Sequence, residues 1–91
     1  MNATVLIPEQ LRKVVGGDHI LYLDVKNISD LIEQLLAKYP NIRGRLLTED
    51  GNVNKFINIY VNGEDIRFLE NRDTVIKEED EISIVPAIAG G

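Results

Sequence analysis

Few residues of this chain could do chemistry, and two residue types are nearly or wholly missing. Among the 91 residues there is no cysteine and a single histidine, His19. Thiol nucleophiles, cysteine-ligated zinc or iron–sulfur centres, disulfides and the usual His-rich or Cys–His constellations have nothing to be built from. No metal site is expected, and His19 reads as an ordinary strand or loop residue. What remains is the ending, "PAIAGG", residues 86–91. At a usage of roughly 7% for each glycine, a terminal Gly-Gly arises by chance in about 0.5% of chains. The rival reading is a frayed end under no selection.

Charge narrows the classes further. Fifteen acids against ten bases give a net charge of -5, which disfavours nucleic acid, since phosphate binding needs clustered Lys and Arg, and favours a basic protein partner. Arg12, Arg43, Arg45, Arg67 and Arg72 are spread out and read as solvated surface. The 44% hydrophobic and 27% charged balance is that of a globular protein. No apolar run approaches a membrane span, and "MNATVLIPEQ" lacks the pattern of a secretory leader, so a cytoplasmic protein without membrane contact is expected. A chain this short makes one small domain, without a deep cleft between two.

The elements that must carry the ending are legible from periodicity. "ATVLIP" alternates so that Ala3, Val5 and Ile7 share a face, and Pro8 stops the strand. "HILYLDV" alternates as well, with Leu21, Leu23 and Val25 on one side and Ile20 and Tyr22 on the other, and the two strands can pair as a hairpin. Ile28, Leu31, Ile32, Leu35, Leu36 and Tyr39 recur at helical spacing, with Asn27 as N-cap, Asp30 in the first turn and Pro40 beyond the end. "NIRGRLLTEDGN" reads as a short turn of helix and a polar loop. "FINIYVNGEDIRF" is a hairpin signal, because Asn62-Gly63 can supply two positive φ angles; Ile57, Ile59 and Val61 then face the helix and Phe56, Asn58 and Tyr60 the other side. "EISIV" is a last strand with Ile82 and Ile84 inward and Val85 outward. The acidic run Glu78 to Glu81 reads as a solvated turn, with steering of a basic partner as the alternative.

The order of strands around one helix is that of an α+β, β-grasp (ubiquitin-like) fold: a mixed sheet of about five strands packed on one helix. Residues 1–85 are expected to form the domain and 86–91 a flexible C-terminal Gly-Gly tail. At this point "QLRKVVGG", "FINIYVNGEDIRF" and "DEISIVPAIAGG" together resemble the small sulfur carrier proteins of the ThiS/MoaD family, over essentially the whole chain. That family includes the small subunit of molybdopterin synthase, the thiamine sulfur carrier and the carrier of a cysteine-forming pathway. The hairpin followed by "VPAIAGG" is more similar to the cysteine-type branch. One departure is "KEEDE", where Glu79 stands at a position that is usually Gly in the family. If φ must be positive there, the side chain costs on the order of 1 kcal/mol.

The resemblance implies a carrier and co-substrate rather than an enzyme. It implies that the Gly91 carboxylate is adenylated by an enzyme related to the ubiquitin-activating enzymes, which uses ATP, while the carrier itself binds no cofactor tightly. The acyl adenylate becomes a thiocarboxylate, and a sulfur-acceptor enzyme such as the molybdopterin synthase large subunit or a cysteine synthase takes the sulfur. Gly90 and Gly91, lacking Cβ, suit a narrow channel, and Pro86, Ala87, Ile88 and Ala89 make a thin arm with one apolar anchor. Phe56, Tyr60 and Val85 resemble the family's docking surface for such enzymes. Two alternatives stay open: a ubiquitin-like modifier joined through Gly91 to lysines, and a β-grasp interaction domain with an inert tail.

Overall fold

The computed structural model describes residues 2–87. Strand β1 (Ala3–Leu6) pairs antiparallel with β2 (Ile20–Leu23), as the alternation requires, with Val5 opposite Leu21. The connection between them contains a short helix, α1 (Glu9–Arg12), that periodicity did not announce. It buries Leu11, and Val15 beyond it is buried too.

The long helix, α2 (Ile28–Lys38), begins where its N-cap is satisfied: the Asn27 side chain accepts from the Asp30 N–H at 2.7 Å. Asp30 reaches back to accept from the Lys26 N–H at 2.9 Å, so two main-chain donors are satisfied reciprocally. Ile28, Leu31, Ile32 and Leu35 are buried against the sheet, each worth about 1.5–3 kcal/mol relative to exposure. A 3₁₀ turn (Pro40–Ile42) and α3 (Arg43–Leu46) follow, and Leu46 and Leu47 return to the core.

Strand β3 (Ile57–Val61) turns through Asn62 (φ 51°) and Gly63 (φ 87°), both positive as a two-residue turn of this hand demands, into β4. Here the structure corrects the sequence reading. "IRF" does not extend the hairpin: β4 is only Glu64–Asp65, and Ile66–Phe68 is a 3₁₀ turn. The Asp65 carboxylate accepts from the Arg67 N–H at 2.8 Å and pulls the chain out of the ladder. Strand β5 (Glu81–Pro86) completes a sheet of order β2-β1-β5-β3-β4 in which β1 and β5 run parallel and the other pairs antiparallel.

β5 runs one residue further than expected, through Pro86. Ala87 N–H donates to the Phe56 carbonyl at 2.7 Å, so Ser83, Val85 and Ala87 direct their main-chain groups to β3 and the even residues direct theirs to β1. β1 pairs with β5 only as far as Ser83, so Pro86 points its missing N–H where no acceptor waits.

The turn into β5 is closed by Asp80 N–H on the Lys77 carbonyl at 3.1 Å, and its third residue, Glu79, has φ 70°. The chain keeps the left-handed turn although its residue is not Gly. Glu79→Gly is therefore expected to stabilise the fold by about 0.5–1 kcal/mol, read as a higher urea midpoint at unchanged slope. A lower midpoint would place the strain elsewhere.

Candidate functional site: the outer sheet face and the end of β5

The register between β3 and β5 decides which side chains share the face away from α2. Ile59 opposes Ile84 and Val61 opposes Ile82, all buried, while Tyr60 opposes Ser83 and Asn58 opposes Val85 on the other side. Phe56 is 53% exposed and Val85 is exposed as well, whereas Tyr60 is half-buried. The hydrogen bond from Ala87 places Phe56 beside the last described residues of the chain. The structure thus brings Phe56, Tyr60 and Val85 onto one face, with Pro86 and Ala87 leaving along its border. Ile88, Ala89, Gly90 and Gly91 lie outside the described residues.

The apolar face is wider than the three residues singled out from sequence. Tyr22, 65% exposed, lies opposite Thr4, and exposed Ile20 lies opposite Leu6, which is itself opposite Ser83 of β5. Ile20, Leu6, Ser83 and Tyr60 therefore form one row across four strands. A shallow apolar depression of about 240 Å³ opens between Leu6 and Pro8 on one side and Val85 and Pro86 on the other. The alternation of "HILYLDV" assigned Ile20 and Tyr22 to an outer face. Their continuity with Val85 needed the strand order, which no local pattern carries.

One border of this face is charged. Asp65, opposite Tyr60, is buried, and its carboxylate accepts from Arg67 Nε at 3.2 Å and Nη2 at 2.7 Å. Arg67 Nη2 also donates to Asn58 Oδ1 at 3.1 Å. The Arg67 side-chain hydrogen bonds hold the Asp65 carboxyl below the usual carboxylate range, outweighing desolvation, and the same contact raises Arg67.

Arg72 is a correction to the solvated reading of the arginines. It is half-buried and donates to Ser29 Oγ at 3.2 Å and the Gly51 carbonyl at 2.6 Å, fastening the 48–53 loop to the start of α2. Beside it lies an open groove of about 580 Å³ lined by Val53, Ile57, Ile66, Arg67 and Arg72 among others, a feature the short chain did not announce. His19 is an exposed residue just before β2, as expected.

Among the described residues the arrangement is an exposed apolar face, with Pro86 and Ala87 at its margin. No helix among the described residues is long and apolar enough to cross a membrane.

A family model described as ThiS family matches residues 5–91. The sulfur carrier protein CysO of Mycobacterium tuberculosis is 40% identical over 93 residues, an alignment spanning all of both chains. A chain in the crystal structure of the Amycolatopsis orientalis BexX/CysO complex superposes with a TM-score of 0.86 at 35% identity, covering 98% of this chain and 99% of that one. Small archaeal modifier protein 3 of Haloferax volcanii is more distant, 34% identical over 82 residues and 88% of each chain.

Two outcomes are expected from this geometry. Because the folded pKa of Asp65 is depressed, its contribution is present above its unfolded value, about 3.9, and is lost as pH falls through the lower folded value. Asp65→Asn should therefore flatten the fall in stability between about pH 5 and about pH 2, measured by urea unfolding, with a modest amplitude because the Arg67 partner is exposed to solvent. The face assignment is checked by thermal unfolding: Tyr22→Ser and Phe56→Ser should stay within about 0.5 kcal/mol of the parent, while Ile59→Ala should cost about 2–5 kcal/mol. Larger losses at Tyr22 and Phe56 than at Ile59 would mean the faces are reversed.

Proposed function

The chain belongs to the ThiS family and is a sulfur carrier rather than a catalyst, and we propose that its cargo is held on the carboxyl group of Gly91. The observation that carries this reading is the match over the whole chain, from the first strand to the closing glycines, on a fold that ends β5 at the margin of an exposed apolar face.

The chemistry follows from what a carboxylate lacks. It is a poor electrophile, and reaction with ATP gives an acyl adenylate and pyrophosphate, turning its oxygen into part of a good leaving group. Sulfide then forms the carbon–sulfur bond as the carbon–oxygen bond to AMP breaks; a persulfide donor gives an acyl disulfide instead, whose sulfur–sulfur bond a donor-side thiol cleaves, leaving the thiocarboxylate and a disulfide on the donor. The thiocarboxylate delivers its sulfur to an acceptor, and water restores the oxygen. No step needs a group from the folded domain, which fits a chain without cysteine. The domain supplies recognition: the apolar face of Phe56, Tyr60 and Val85 holds the activating enzyme while Pro86 to Gly91 reach into its catalytic channel. The two glycines admit the main chain where a Cβ would obstruct it. The acceptor is of the cysteine-forming type, as the similarity to CysO suggests.

The same adenylate could end on a lysine, and the likeness to a small archaeal modifier protein keeps that second reading in view. One measurement separates them. Intact mass spectrometry of untagged protein from cells should find monomer, a fraction of it heavier by the difference between sulfur and oxygen at Gly91. Deleting Gly91, or extending the chain beyond it, should abolish ATP–pyrophosphate exchange with the cognate enzyme without changing the melting temperature. Abundant lysine conjugates with no thiocarboxylate would favour the modifier, and unchanged exchange would remove Gly91 from the chemistry.

A further inference from the structure

Neither the tail nor the apolar face accounts for the outer edge of β2. This strand is first in the sheet and has a neighbour, β1, on one side. Ile7 N–H donates to the His19 carbonyl, and Val5 and Ala3 oppose Leu21 and Leu23. Alternate residues of an antiparallel strand direct their main-chain groups to opposite sides, so Ile20 and Tyr22 turn theirs to the open edge. The next outward carbonyl, that of Asp24, is occupied, accepting from Gln34 Nε2 at 3.0 Å. The Ile20 and Tyr22 side chains are exposed on the outer face beside these groups. An edge of this kind is a template for another strand.

The charges at its two ends choose the occupant. Two copies pairing antiparallel about Leu21 would set Ile20 against Tyr22, which is favourable, but also Asp18 against Asp24. Symmetry imposes that like-charged pair twice, and directly opposed like charges destabilise a strand pair. Both aspartates are exposed, and among the described residues neither has an ion-pair partner. The acids that oppose a second copy would attract a strand with cations at the same positions.

We propose that the open edge of β2 accepts an extended, basic-flanked segment of another protein as an added strand, its cations against Asp18 and Asp24 and its apolar side chains against Ile20 and Tyr22. The site goes beyond the carrier reading and is independent of the tail.

The probe is the blocked peptide KTVTVTK, whose valines fall opposite Ile20 and Tyr22 and whose lysines fall opposite Asp18 and Asp24. In the free protein the Ile20 and Tyr22 amides should exchange rapidly with solvent, and the peptide should slow both in a nuclear magnetic resonance exchange measurement. The acidic peptide ETVTVTE, and KTPTVTK with proline opposite Tyr22, should each bind at least about tenfold more weakly, as should the parent peptide to the Asp18→Asn, Asp24→Asn double variant. Removing Gly91 should change none of these values, so that failure of this proposal and failure of the carrier reading are distinguishable. Equal binding of the basic and acidic peptides, no binding of KTVTVTK, slowed amides elsewhere than on β2, or self-association of the parent protein through this edge in sedimentation velocity would overturn it.

Discussion

The outer face and the point where the chain leaves the sheet both depend on the register between β3 and β5. A slip of one residue would set Tyr60 beside Ile84 and Ile59 beside Val85, so that one of the two strands would turn its exposed set inward and its buried set to solvent. Asn62 holds the register from one end. Its side chain accepts from the Glu81 N–H at 2.9 Å and donates to Asp80 at 2.9 Å, while its own N–H bonds the Glu81 carbonyl at 2.7 Å. A turn residue chosen for its left-handed φ therefore also clamps the hairpin to the start of the last strand. At the other end the bond from Ala87 to Phe56 fixes where the chain departs.

The two faces of the sheet divide structural and functional demands. One face is covered by α2, with Ile28, Leu31, Ile32 and Leu35 closing over it. Among the described residues no element covers the other, which exposes Ile20, Tyr22, Phe56 and Val85. A sulfur carrier needs little else from its own fold. On the chemistry proposed for Gly91 its reactive group is made by another protein, so the domain would supply recognition and a fixed point of departure for the tail, and β5 borders both.

Polar groups near the site are arranged to stay rigid. Asp65 is buried but fully engaged by Arg67, and no buried side-chain polar atom among the described residues lacks a partner. The Asp65 carboxylate also ends β4 early, and Asp65 and Arg67 both line the groove beside Val53 and Ile66. One side chain thus shortens a strand and sets a charge at the border of the exposed face.

What the amino-acid order determined alone was whatever depends on neighbours a few residues apart. The Asn27 cap and the apolar stripe of α2, the Asn62-Gly63 turn and the inward and outward sets of β3 and β5 are all of this kind. Its resemblance to a known family extended that reading to Gly91. Only the tertiary structure decided that β5 lies between β1 and β3, parallel to the first, because pairing partners some eighty residues apart leave no periodic trace between them. That placement joined Ile20 and Tyr22 to Val85, and left β2 an open edge. The half-burial of Arg72 against Gly51 and the extension of β5 through Pro86 were hidden for the same reason, each settled by a hydrogen-bond partner, or the lack of one, on another part of the chain; the short β4 was missed on a local signal, the Asp65 carboxylate accepting from the Arg67 N–H two residues on.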